Sequence, residues 1–482
     1  MKSILLLLAL MSLNLFAAPT IPTIPTIPTI PTIPTSQAPQ TMRLDYFHTG
    51  NAKQELFSID EVVLEPNLWP GNPSQPIDTV PRGKYLFEVF DLTSQNKLYS
   101  RSFSSIYGEW EGTGEASKVN RTFHESLRFP APTDKVEIIV KKRNYGETFK
   151  EIWRTVVDPA HMLVNHGKPQ FNGEVFALLK NGDPAQKVDL LLMGDGYANK
   201  EAAKFRADAQ RMIDALFATA PFKQRKQDFN VWAILPDSDI SGVSRPSTGV
   251  HKDTPLGVRY DIFGSERYLL TLDNKAFRQI ASQAPYEFVE IIVNGDTYGG
   301  GGIYGLYGTT VSDNEWAEFI FIHEFGHHFA GLADEYYSSP VAQAVAPDLA
   351  EPYEPNVTAN TDKSSLKWRH WVKPATPIPT HWDKVAFDKY TNNYQTRRKE
   401  IRAKNLPESF MTRLFADNSQ FQQQLFAQNP HQNDVGLFEG ANYAANGYYR
   451  SEQNCIMFTR YEKFCQVCAS AIEDIVNLYI PK

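Results

Sequence analysis

The stretch Glu315-Trp-Ala-Glu-Phe-Ile-Phe-Ile-His323-Glu324-Phe-Gly-His327-His328-Phe-Ala-Gly331-Leu-Ala-Asp334-Glu335 concentrates residue types that handle metals and protons. On a helix of about 100° per residue, His323 and His327 lie one turn apart on one face, so both imidazoles reach a single ion. His328 stands about 140° from His323 and falls outside that pair. Glu324, next to the first imidazole, is placed to take a proton from a water activated by the metal, the general-base role in zinc hydrolysis. A catalytic zinc takes three protein ligands and keeps one position open. Gly331 suits the end of the helix, because glycine adopts the left-handed conformation without a Cβ penalty and lets the chain reverse. The third ligand is expected just past that reversal, where Asp334 and Glu335 are both candidates.

The elements that must position these groups follow from the rest of the 482 residues, enough for two or three domains of about 150 residues. Met1 to Ala18 reads as a signal peptide: Lys2, an apolar run from Ile4 to Phe16, then Ala17 and Ala18. Residues 19–40 form a Thr-Ile-Pro repeat linker, with Pro22, Pro25, Pro28, Pro31 and Pro34 favouring an extended polyproline spacer. Residues 41–160 show period two: Tyr85, Phe87 and Val89; Val136, Ile138 and Val140; and runs near Phe57 to Leu64 and Phe149 to Val156. That predicts an antiparallel β-sandwich, read as a targeting or support module, with His124 and Glu125 a satisfied pair inside it.

Residues 165–482 change to alternating strands and helices, an α/β layer. Val188 to Met193, Phe229 to Leu235 and Phe288 to Asn294 read as strands, and Gly194-Asp195-Gly196 as a turn. Phe205, Ala209, Met212, Ile213, Leu216 and Phe217 recur at helical spacing with Asn199 placed to cap, and Asp273 to Gln283 reads as a second helix.

A net charge of -7 offers no basic stripe for nucleic-acid phosphates, which excludes that class of partner. After the signal no stretch approaches the roughly 18 apolar residues of a membrane span, and no cysteine follows it to carry a lipid. An exported protein is expected, extracellular, on the cell surface or periplasmic. The three cysteines, Cys455, Cys465 and Cys468, are too few for a disulfide scaffold. Cys465 and Cys468 fall at i and i+3 on a C-terminal helix and are read as core packing or a disulfide, in preference to a second zinc.

The helix with its glycine break resembles the metzincin zinc endopeptidases, whose third ligand follows three residues after the glycine, which lands on Asp334. This chain carries one extra residue between His327 and the glycine, which keeps Glu335 as the alternative. Asn454-Cys455-Ile456-Met457 resembles the methionine turn of that clan, making Met457 a floor under the metal, while Thr459 stands where some members carry a tyrosine ligand. Together with Gly436-Leu-Phe-Glu-Gly-Ala441 and Phe464-Cys-Gln-Val-Cys468, the pattern resembles the IgA-peptidase family, or igalysins, over nearly the whole mature chain. The resemblance implies a multidomain protein, an N-terminal antiparallel β-sandwich followed by an α/β metzincin-like zinc peptidase domain. It also implies one catalytic Zn2+ held by His323, His327 and Asp334, Glu324 as catalytic base, and protein or peptide substrates such as glycoproteins including immunoglobulin A.

By the same resemblance, Gly299 to Gly302 and the following Ile303-Tyr-Gly-Leu-Tyr-Gly308 mark an edge strand that pairs with extended substrate; on residues alone they could be a loop. Trp368, His370, Trp371, His381 and Trp382 are read as buried structural residues, and Arg397, Arg398, Lys399, Arg402 and Lys404 as a solvated helix face. The rival reading is a surface adhesin or glycan-binding protein with a vestigial metal site. Glu324 argues against it, since a purely structural zinc has no use for a base.

Overall fold

A computed structural model describes residues 38–339 and 349–481, so the signal peptide and nearly all of the repeat linker lie outside the described residues. The alternating runs of the N-terminal region form β1 (Gln40–Gly50), β2 (Glu55–Leu68), β3 (Tyr85–Asp91), β4 (Lys97–Phe103), β5 (Arg121–Pro130), β6 (Val136–Lys142) and β7 (Lys150–Val157), with a short helix α1 (Ile106–Trp110). They make two antiparallel sheets, β2-β1-β5 and β4-β3-β6-β7. Met42, Leu44 and Tyr46 of one sheet share a core with Phe87, Val89, Ile138 and Val140 of the other, as period two requires of face-to-face sheets. Residues 124 and 125 face opposite ways along β5, so the expected His124–Glu125 pair does not form. His124 meets Asp60 at 3.2 Å, and Glu125 meets His48 at 3.1 Å.

The second region contributes β8 (Gly173–Leu179), β9 (Val188–Asp195), α2 (Ala202–Ala218), α3 (Phe222–Arg225), β10 (Phe229–Pro236), α4 (Asn274–Ala281), β11 (Phe288–Val293), β12 (Gly300–Ile303), β13 (Tyr307–Val311) and α5 (Ala317–Ala330). The sheet order is β12-β13-β11-β9-β10-β8. Its four central strands are parallel, and β12 and β8 run antiparallel at the two edges. Strand β9 is apolar nearly throughout because both its faces are covered. Leu190 and Leu192 enter a core with α2 and α5, while Leu191 and Met193 enter another with Phe277 of α4. Two local expectations are corrected. Asp195 ends the strand, with only Gly196 turning at φ 73°. Asn199 spends its side chain accepting from Ser238 N at 2.9 Å, and so caps no helix.

The remainder adds β14 (Val357–Thr358), α6 (Lys384–Ala403), α7 (Glu408–Phe426), β15 (Phe438–Ala441), β16 (Ala444–Arg450) and α8 (Gln466–Tyr479). Strands β14-β16-β15 form a small antiparallel sheet, and α8 packs in the same core as α5.

The two sandwich sheets are not a detached module. Ile106, Tyr107, Trp110 and Phe123 share a continuous core with Leu191, Phe277 and Val289 of the second region. Arg82, on the segment between β2 and β3, reaches further. Its Nη1 donates at 2.7 Å to the carbonyls of both Ala330, the last residue of α5, and Ala471 of α8. Helix-end carbonyls have no intrahelical partner, so this buried guanidinium satisfies one that α5 cannot. Arg82→Ala is therefore expected to lower unfolding stability by about 2–4 kcal/mol, since hydrogen bonds to charged groups contribute about 1.5–3 kcal/mol each. Chemical denaturation of both proteins measures it, and an unchanged midpoint would refute the link.

Candidate metal centre and cleft

Helix α5 runs to Ala330 and stops at Gly331, whose φ of 58° and ψ of 38° are left-handed. Gly331 N donates back to His327 O at 3.0 Å and Leu332 N to Gly326 O at 3.3 Å, closing the last turn. The reversal has a second product. Leu332 O accepts from Nδ1 of His327 at 2.6 Å, and Ile456 O accepts from Nδ1 of His323 at 3.0 Å. With both Nδ1 atoms held by carbonyls, both Nε2 lone pairs face inward, the arrangement of metal-binding histidines.

Asp334 completes a triangle. Its Oδ1 lies 3.0 Å from His323 Nε2 and 3.2 Å from His327 Nε2, and the two nitrogens are 3.3 Å apart. Nitrogen and oxygen ligands at 2.0–2.1 Å around a tetrahedral ion stand roughly 3.3 Å from each other, so the three atoms already have the spacing of one face of such a site. Burial pushes the Asp334 carboxyl up, but His327 and His323 outweigh it and hold it well below its ordinary range. Burial lowers His327 in turn, and Asp334 reverses that, pushing it up to about 9. Without a cation the carboxylate draws a proton onto the His327 imidazole; a metal would compete for the same lone pair.

Glu324 lines the cleft beside this triangle. Burial raises its carboxyl, and the nearby charges of His323 and His327 work in the opposite direction. Glu335, the alternative third ligand, points away; its Oε1 accepts from Asn356 Nδ2 at 3.0 Å and faces Cys468 Sγ at 3.4 Å. Met457 is fully buried under α5 at Gly326, where an added Cβ would sit 2.9 Å from its sulfur. His328 turns to the opposite side and meets Glu290 Oε1 at 2.9 Å.

Sequence reasoning missed the groups around Asp334. Tyr443 OH donates to Asp334 Oδ2 at 2.6 Å, and Asn442 N donates to Asp334 O at 3.0 Å. Asn442 and Tyr443 form the two-residue turn of the β15–β16 hairpin, both left-handed with φ of 49° and 64°. Asn takes that conformation readily in a hairpin turn, but a tyrosine does so at a cost, and such strain gathers at functional sites. Tyr336 stacks over His323 with centroids 6.3 Å apart, and its hydroxyl accepts from Arg267. Gly436 to Ala441 carried only a family resemblance in the sequence, and nothing in it said that the hairpin tip beyond it meets Asp334. Thr459, by contrast, donates to Asn454 Oδ1 at 2.6 Å within its own turn.

A family model described as IgA peptidase M64 matches residues 176–476, and one described as the peptidase M64 N-terminus matches residues 35–154. The chain belongs to the M64 peptidase family. No curated protein matches it by sequence. It thus joins an N-terminal domain to a peptidase domain of a metallopeptidase family.

In this M64 peptidase the triangle opens into a cleft of about 580 Å³. The N-terminal domain supplies one wall through Lys84, Ser104, Asn144 and Tyr145, a part no sequence motif assigned to it. Arg267, Arg398 and Arg460 also line the cleft. Arg398 and Arg460 both lie against Phe415, at 5.6 and 3.6 Å from its centroid. Burial lowers Arg398, helped by the charges of Arg460 and Arg267. The solvated-face reading therefore holds for Arg397, Lys399 and Lys404 but fails for Arg398 and for Arg402, which pairs with Glu408. Trp368 and Trp382 are buried, donating to the carbonyls of Gly436 and Glu439, but His370 and His381 are exposed and Trp371 half-buried, so the buried reading fails for the two histidines.

Tyr443→Phe removes the hydroxyl from Asp334 and leaves the ring. Loss of such an outer contact costs about 10–100-fold in metal affinity. Competition with a chelator of known affinity measures it; equal affinities would assign Tyr443 to hairpin packing alone.

Proposed function

We propose that this M64 peptidase is an exported zinc endopeptidase with a metzincin-like catalytic domain, in which His323, His327 and Asp334 hold the ion and Glu324 is the catalytic base. The spacing of the three ligand atoms carries the reading. Bound there, zinc would supply Lewis acidity, polarising the scissile carbonyl and lowering the pKa of a water. Glu324 takes the proton from the attacking water and returns it to the leaving amine, first as general base and then as general acid. Its half-buried setting suits both duties, because desolvation brings the carboxyl closer to the pKa of a group that must accept and release one proton per turnover. Met457 supports the helix from below, and Tyr443 holds Asp334 in its orientation.

The glycine-rich segment supports an extended substrate. Strand β12 is pressed so close to α5 that a Cβ at Gly302 would collide with Glu324 O and stand 2.9 Å from His327 Cβ. Gly300 uses its outer N–H and C=O on Arg267 O and Leu269 N, at 3.3 Å each. Alternation along the strand turns the same groups of Gly302 outward into the cleft, where a peptide could add as a further strand. The three arginines favour peptides with an acidic side chain near the cut, and glycoproteins such as immunoglobulin A remain among the substrates to test. No helix of the described residues is long and apolar enough to cross a membrane.

Digestion of a peptide library and intact immunoglobulin A is expected to give internal cuts that disappear on chelation and fall about 10²–10⁴-fold in Glu324→Gln with metal retained. Full activity in that variant would sink the assignment of Glu324, and cuts confined to chain ends would make the enzyme an exopeptidase. A folded, zinc-loaded protein that binds glycans and cleaves nothing would restore the adhesin reading.

The same library tests the arginines. Arg398→Ala is expected to lower kcat/KM for peptides with an acidic residue by about 10–100-fold, the equivalent of one charged hydrogen bond, and to spare neutral ones. An equal loss on both would show that Arg398 only packs against Phe415.

A further inference from the structure

A second cluster of metal-binding side chains lies behind the first, with no opening to the cleft among its residues. Glu335, Cys455, Cys465 and Cys468 are all buried, and their ligand atoms lie within 4.8 Å of one another. Cys455 Sγ and Cys468 Sγ are 3.8 Å apart, while Glu335 Oε1 is 3.4 Å from Cys468 Sγ and 3.9 Å from Cys465 Sγ. Thiolates bound at 2.3 Å to a tetrahedral ion stand about 3.8 Å apart, and a carboxylate oxygen at 2.0 Å stands about 3.5 Å from each sulfur. We propose that these four side chains hold a second, structural zinc ion in a closed tetrahedral site.

Two further observations point to a cation. Glu335 Oε2 is buried with no hydrogen-bond partner, an expensive state for a carboxyl group that an ion would relieve. The nearby Arg450 is also fully buried, but its hydrogen bonds go to the carbonyls of Glu439, Gly440 and Gln453. Four protein donors leave no position for water, which separates this site from the three-donor triangle and makes it structural. A disulfide between Cys455 and Cys468 is the competing state of the same atoms; it would leave Cys465 a thiol and Glu335 buried without a counter-ion.

The site also has work to do in the fold. Its ligands come from two segments that place the first site and from the start of α8: Glu335 follows Asp334, Cys455 precedes Ile456 and Met457, and Cys465 and Cys468 open α8. Cys465 is in fact the N-cap of α8, its sulfur accepting from Cys468 N at 3.4 Å, and Glu335 N donates to Met457 O at 2.8 Å. An ion there ties the carbonyl that orients His323 to the chain that carries Asp334. On binding, the three thiols release their protons to solvent and the thiolates become ligands.

Elemental analysis of the purified full chain, loaded with zinc and freed of excess by gel filtration, is expected to find two zinc ions per chain. The His323→Ala/His327→Ala double variant should keep one, and after exchange with cobalt should show thiolate-to-cobalt charge-transfer absorption. Cys465→Ser should lose that band. Three thiols should titrate after denaturation with chelator and no reductant. A His323→Ala/His327→Ala variant that retains no zinc would overturn the proposal, as would a cobalt-loaded double variant without the thiolate band. A Cys455–Cys468 disulfide found by mass spectrometry of the unreduced protein would replace it.

Discussion

The structure turns on a carboxylate buried between two imidazoles. Asp334 brings a negative charge to within 3.0 and 3.2 Å of two nitrogens whose lone pairs are aimed at the same point, and three such acceptors cannot sit together without a proton or a cation among them. Each neighbouring element makes that crowding tolerable. The αL break at Gly331 swings Asp334 back under the helix that carries the histidines, the carbonyls of Leu332 and Ile456 fix both tautomers, and Tyr443 occupies the second carboxylate oxygen. The spacing is thus imposed from outside the triangle, as the preorganisation of a candidate metal site requires in energetic terms.

The crowding extends outward. Strand β12 approaches α5 so closely that its inner positions must be glycine, and that approach brings a sheet edge alongside Glu324. On the other side the N-terminal domain is fused to the same scaffold through a shared core and through Arg82 at the carboxyl end of α5. A sandwich placed there supplies both a prop for the helix and a wall of the cleft, so the two belong to one piece of architecture.

The adjacent residues Asp334 and Glu335 show how one short segment serves two environments. In an extended chain successive side chains point to opposite sides, so the first reaches the histidines and the second the cysteines behind them. The open alternative between them in the sequence reflects their shared chemistry; only their direction differs.

The sequence alone determined whatever depends on local periodicity. The i, i+4 spacing of His323 and His327, the neighbouring Glu324, the glycine that must end α5, and the period-two runs of the sandwich all follow from backbone geometry within a few residues. The tertiary structure decided whatever depends on chain segments far apart in sequence. Tyr443 meets Asp334 across 109 positions, Cys468 meets Glu335 across 133, and Arg82 caps a helix 248 residues away. Arg398 looked like part of a solvated face because charge runs usually are, and only the packing of α6 against Phe415 turns it inward. A motif records which side chains share a helix face; which distant side chains close around them is set by packing that no local spacing encodes.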